Sequence, residues 1–162
     1  MTGVSAGAAD RAQSAIVIDQ PAEAIFAVLA DPAKHAAVDG TGWVGEAVNR
    51  EPLTASGQIF RMSMYHPGHP NGSYQMANRV QMFDPPNTIS WEPGNEADGT
   101  ITFPGWVWRY DLAPAGRSRT TVTLTYDWSA VPAPIREHIG FPPFPTEHLA
   151  NSLAHLAELI GR

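Results

Sequence analysis

Hydrophobic and polar positions repeat with two different periods along this chain, and the change of period divides it into three parts. The first part opens on the β-branched run Ala15-Ile16-Val17-Ile18 and then turns at Asp19-Gln20-Pro21. Proline presets φ for a first helical turn and has no amide to leave unpaired, so Pro21 predicts a helix start. Glu23 adds negative charge where the helix dipole favours it. Ala22, Ile25, Phe26 and Leu29 form one apolar stripe at helical spacing. Asp31-Pro32 ends that helix, because the residue before proline avoids the helical region. A second short helix is expected through Ala33 to Val38, stopping at Gly40.

From there to Trp128 the period is two. The candidate strands are Trp43–Asn49, Gln58–His66, Ser73–Phe83, Thr88–Glu92, Gly105–Leu112 and Arg119–Trp128. Turn signals separate them: His66-Pro67-Gly68-His69-Pro70-Asn71-Gly72, then Asp84-Pro85-Pro86-Asn87, then a hairpin closed by 113–118. Such short connections join antiparallel neighbours. A proline-rich stretch over 131–145 follows, with one helical turn expected near 135–139. Thr146 can then cap a long helix from Glu147 to Ile160, with Gly161 beyond its end. Leu149, Leu153, Leu156 and Ile160 give that helix a single apolar stripe.

The order is strand, two short helices, about six to seven antiparallel strands and a long C-terminal helix. A sheet that must bury one face will pack it on the only large apolar helix available. The expected class is therefore α+β, a single domain over residues 14–162 preceded by a disordered Ala/Gly/Ser-rich leader at 1–13.

Alternation assigns the faces. Phe60, Met62 and Met64 share a side in their strand. Tyr74, Met76, Asn78, Val80 and Met82 do so in the next, Trp106, Trp108, Tyr110 and Leu112 in a later one, and Val122, Leu124, Tyr126 and Trp128 in the last. These sets should face the helix. Four of the five methionines then lie inside, where their flexible side chains suit an adaptable apolar surface as well as an ordinary core. Asn78 stands among apolar neighbours and needs a partner, which could be a backbone group at a bulge, a tyrosine hydroxyl, water or a ligand.

Composition narrows the function classes. The 162 residues suffice for a real core, and 14 glycines with 15 prolines fit a chain of many turns. A net charge of −6 argues against nucleic acid and against an anionic membrane surface. No run approaches the roughly 20 apolar residues that span a bilayer, and the leader lacks a signal-peptide apolar region. Both fit a cytoplasmic protein, and a homodimer is compatible with the sequence. There is no cysteine, so disulfides and thiolate chemistry are excluded. Of the six histidines, His66 and His69 flank a turn, while His148 and His155 lie two turns apart on the last helix; none of these pairs has a metalloprotease spacing. No metal and no cofactor are expected. No nucleophile elbow or phosphate loop occurs, so no catalytic residue can be assigned; Asp127 and Glu137 are the carboxylates considered as bases.

Three segments carry a resemblance to a known family. They are the opening strand with Pro21-Ala22-Glu23-Ala24-Ile25-Phe26-Ala27-Val28-Leu29-Ala30-Asp31, the run Val80-Gln81-Met82-Phe83-Asp84-Pro85-Pro86 followed by Ile89-Ser90-Trp91, and the late hairpin from Trp108-Arg109-Tyr110 to Tyr126-Asp127-Trp128 that leads into the terminal helix. Together they resemble the START-like (SRPBCC) superfamily, the Bet v 1-like helix-grip proteins, and most of all bacterial polyketide cyclase/dehydrase-type members. The resemblance spans roughly residues 14–161. It implies a curved antiparallel sheet wrapped around the C-terminal helix with a cavity between them. It also implies a mouth formed by 66–72, 93–104 and 130–145. With the faces assigned by alternation, the expected ligand-binding set is Phe60, Met62, Met64, Tyr74, Met76, Asn78, Trp91, Trp106, Trp108, Tyr110, Tyr126, His148, Leu149 and Leu153. The expected function is binding or transport of an apolar or aromatic small molecule such as a lipid or polyketide. The alternatives are an aromatase/cyclase using the same cavity and an interaction module with a filled core.

Overall fold

The computed structural model describes residues 10–38, 44–48, 51–65, 73–138 and 147–160. Its first strand, β1 (Arg11–Ile18), pairs with its last strand. Two helical elements follow: α1 (Ala22–Leu29), then a 3-10 turn (Pro32–Lys34) running into α2 (His35–Val38). Asp31 Oδ1 accepts the Ala33 amide at 3.0 Å and starts the second of them. The rest of the sheet comprises β2 (Val44–Ala47), β3 (Ile59–Tyr65), β4 (Ser73–Asp84), β5 (Thr88–Ala97), β6 (Thr100–Thr102), β7 (Val107–Gly116) and β8 (Arg119–Asp127). Helices α3 (Ala133–His138) and α4 (Glu147–Ile160) complete the chain.

The strand order is β1-β8-β7-β5-β4-β3-β2, all antiparallel, with β6 beside β5. This is the expected α+β arrangement, a curved sheet against a C-terminal helix. Helix α4 buries Leu149, Ser152, Leu153, Leu156 and Ala157, and packs on β1, β8, α1 and α2. The apolar stripe read from the sequence is thus the buried stripe. Ile18, Ile25, Leu29, Val80, Ile89, Val122 and Leu124 are fully buried in the same core cluster.

Several boundaries move. β1 begins at Arg11, inside the stretch expected to be leader, because Arg11, Ala12 and Gln13 pair with Asp127, Tyr126 and Thr125. The segment 93–104, expected to be an irregular loop at the mouth, is instead the end of β5 and a hairpin into β6. Asp98 and Gly99 turn it with φ of 54° and 77°. Likewise β7 runs on to Gly116, past the expected turn start.

Met82 reverses its expected side. The β4–β5 register slips between Val80 and Met82, so one extra residue enters β4 there. A bulge of this kind shifts alternation by one. Val80 and Phe83 therefore both face inward, Phe83 packing edge-on against Phe26 at 5.4 Å, while Met82 is 43% exposed. Of the methionines, Met62 and Met76 are buried and Met64 half-buried.

Candidate functional site

Register aligns the inward side chains in rows across the sheet. One row runs Val80, Trp91, Trp108, Tyr126, Ala12, and the next Phe83, Ile89, Tyr110, Leu124, Ser14. On the other side of the first row lie Phe60 opposite Asn78, then Met62 opposite Met76, then Met64 opposite Tyr74. The expected members that lie in paired strands therefore share one face. Phe60, Met62, Met76, Asn78, Tyr110, Tyr126, Leu149 and Leu153 are buried; Met64, Tyr74, Trp91, Trp106, Trp108 and His148 are half-buried. The half-buried members are the large rings and the thioether of Met64, so apolar surface remains partly accessible there.

The rings form a connected group. Trp91 meets Phe60 edge-on at 5.8 Å and Tyr110 at 5.9 Å, while Trp108 meets Tyr126 at 4.6 Å and Tyr126 meets Trp128 at 5.9 Å. The sequence reading missed one member, His35. It is buried, stacks on Trp91 at 4.9 Å with planes 18° apart, and stands edge-on to Phe60 at 5.5 Å. Its Nε2 lies 2.8 Å from the Leu29 carbonyl oxygen; a carbonyl only accepts, so Nε2 carries a proton and donates it. Nothing in the local pattern sets His35 apart from the other histidines. Only the fold brings its ring onto Trp91 of β5.

Polar groups on this face are few. Asn78 Nδ2 donates to the Phe60 carbonyl at 3.3 Å, the backbone alternative among its expected partners. Burial pushes the Tyr126 phenol well above its ordinary value of 10.0. Nδ1 of His148 is sealed from solvent, and Ser152, one turn on in α4, is buried. His155 is exposed. Asp127 Oδ1 accepts the amide of Ser129 at 2.8 Å and its hydroxyl at 2.6 Å, so this carboxylate caps the turn after β8; Glu137 is exposed. Among the described residues no group of three or more His, Asp and Glu is placed to hold a metal. Trp43, His66, His69, the turn 66–72 and the segment 139–146 lie outside the described residues.

The opposite face carries the charge. Arg61 binds Glu96 with two hydrogen bonds of 2.8 and 3.0 Å, which hold the Glu96 carboxyl below its usual range. Arg79 pairs with the buried Glu92, which also accepts from Gln81 at 2.9 Å. The Arg79 guanidinium covers the Phe103 ring at 4.1 Å. Arg109 pairs with Asp111, which also accepts from Thr88. A separate open groove of about 240 Å³ lies between α1 and the β4–β5 turn, lined by Glu23, Phe26, Ala27, Pro85 and Pro86. None of the expected site residues lines it.

No family model matches the chain. Over 167 aligned residues it is 27% identical to Rv0088, an uncharacterized protein of Mycobacterium tuberculosis, covering all of this chain and 69% of that one. Protein Ms6760 of Mycobacterium smegmatis superposes with a TM-score of 0.67 at 14% identity, covering 94% of this chain and 91% of its own. Protein NE0264 of Nitrosomonas europaea gives 0.67 at 15%, covering 93% and 94%. At such identities the likeness carries the fold alone.

Proposed function

We propose that this chain is a START-like (SRPBCC) helix-grip protein that binds or carries an apolar or aromatic small molecule between the inward sheet face and α4. The observation that supports this reading is the concentration of partly accessible rings and thioether, Met64, Tyr74, Trp91, Trp106 and Trp108, on the face that also buries Asn78. Apolar walls with a few convergent polar groups are what a small-molecule site needs. The described helices include none long and apolar enough to cross a membrane. A cytoplasmic location belongs to the same proposal.

A second reading, an aromatase/cyclase in the same cavity, gains support from His35, a buried imidazole oriented by a backbone carbonyl beside the ring group. Such an enzyme needs chiefly a shaped pocket, one base and a polar group facing a carbonyl.

Native mass spectrometry of the purified protein should find co-purified apolar molecules, and Nile red should bind and raise the melting temperature. Met64→Trp fills the half-buried rim without emptying the core, and Trp91→Ala removes the central ring. Both should abolish the dye-induced shift. An unchanged shift in both variants rejects this site.

A further inference from the structure

Charge is sorted by face in this sheet. The outward positions hold Arg61 with Glu96, Arg79 with Glu92, and Arg109 with Asp111. Among the described residues, the inward positions of β3, β4, β5, β7 and β8 hold no Asp, Glu, Lys or Arg. The buried face of α4 holds none either. Among the described residues, what remains inside is aromatic or aliphatic, with the polar Asn78 amide, tyrosine hydroxyls, Ser152 and two imidazoles, His35 and His148, but no carboxylate, ammonium or guanidinium. A carboxylate moved into such surroundings without a cation loses several kcal/mol of hydration that nothing returns. A hydroxyl, ketone or amide can exchange its water for these groups at little net loss. The ring walls add stacking for flat molecules.

We infer that the cavity selects uncharged aromatic molecules bearing hydroxyl or carbonyl groups, and rejects carboxylates of the same shape. Ionised fatty acids are thereby excluded from its ligand class. This rests on the cavity reading above. It specifies which of the apolar ligands compatible with that reading the site accepts.

The test compares 2-naphthamide with 2-naphthoate as competitors of bound Nile red, at about pH 8 where an ordinary imidazole is uncharged. The two probes share ring and outline and differ in charge. Naphthamide should displace the dye at least about tenfold better. Met64→Lys places an ammonium at the half-buried rim and should narrow or invert that ratio by strengthening naphthoate competition. Equal competition in the parent protein, or stronger competition by naphthoate, overturns the inference and leaves the cavity standing. A ratio unmoved by Met64→Lys overturns it as well, since rejection would then not arise from a missing cation at this face. Failure of Nile red and of both probes to bind removes the cavity and the inference together.

Discussion

The imidazole of His35 lies nearly parallel to the indole of Trp91, with centroids 4.9 Å apart, and its Nε2–H is anchored to the carbonyl that ends α1. The His35 side chain thereby ties α2 to the central strand β5 and to the end of α1. Replacing His35 with alanine bares the Trp91 face and strands the Leu29 carbonyl, at a loss of about 2–3 kcal/mol. His35→Phe keeps the ring and should lose about half as much. Urea titrations followed by tryptophan fluorescence measure both, and the alanine variant should also emit further to the red. A Phe variant as unstable as the Ala variant would assign the whole effect to the hydrogen bond.

Gly105 has φ of +118°, and a Cβ built there would stand 2.8 Å from the Ala130 carbonyl oxygen. Gly99 has φ of +77°, and its Cβ would meet open space. Gly105→Ala combines backbone strain with a backbone clash and should destabilise by about 3 kcal/mol or more. Gly99→Ala carries strain alone, about 1 kcal/mol. Thermal midpoints of the two variants should separate in that order. Equal midpoints would mean that the 130–131 segment yields freely to Gly105.

Glu92 is buried on the outward face and depends on Arg79 and Gln81 for its partners. Removing the cation alone leaves a poorly solvated carboxylate, so Arg79→Leu should destabilise by about 1–3 kcal/mol. It also uncovers Phe103. Adding Glu92→Leu should restore part of the loss, because the orphaned charge is gone. A double-mutant cycle in denaturant measures this, and a strictly additive result would show that the two groups are not coupled.

Tyr126 is 2% exposed, and burial raises its phenol above the ordinary value of 10.0. The folded state holds the proton more tightly than the unfolded state does. The corresponding stability is fully present below pH 10 and is lost progressively as pH rises from there toward the folded-state value. Unfolding free energy should decline above pH 10, and Tyr126→Phe should flatten that decline. A phenolate absorbance titration counting one tyrosine fewer in the folded protein gives the same result independently. An identical slope in the Phe variant would place the effect elsewhere.

Much of the architecture was legible because two local periods report it. The i, i+4, i+7 leucines of 147–160 and the alternation along Phe60, Met62, Met64 each name a buried side without knowledge of a partner. The same alternation failed at Met82, where an inserted residue in β4 flips the count, and only pairing with β5 reveals the insertion. The hairpin at 98–99 was hidden by Pro93 and Gly94. Gly94 in a strand makes sense once Ile101 and Phe103 are seen to fill the space a larger side chain there would need.

Sequence alone settled the class of fold and the direction of most amphipathic faces, since each follows from neighbours one to four residues away. Tertiary structure decided where the rings meet, which strand gains a residue, and that His35 covers Trp91. Those relations join atoms far apart along the chain, and no local period encodes which surface a buried face will find.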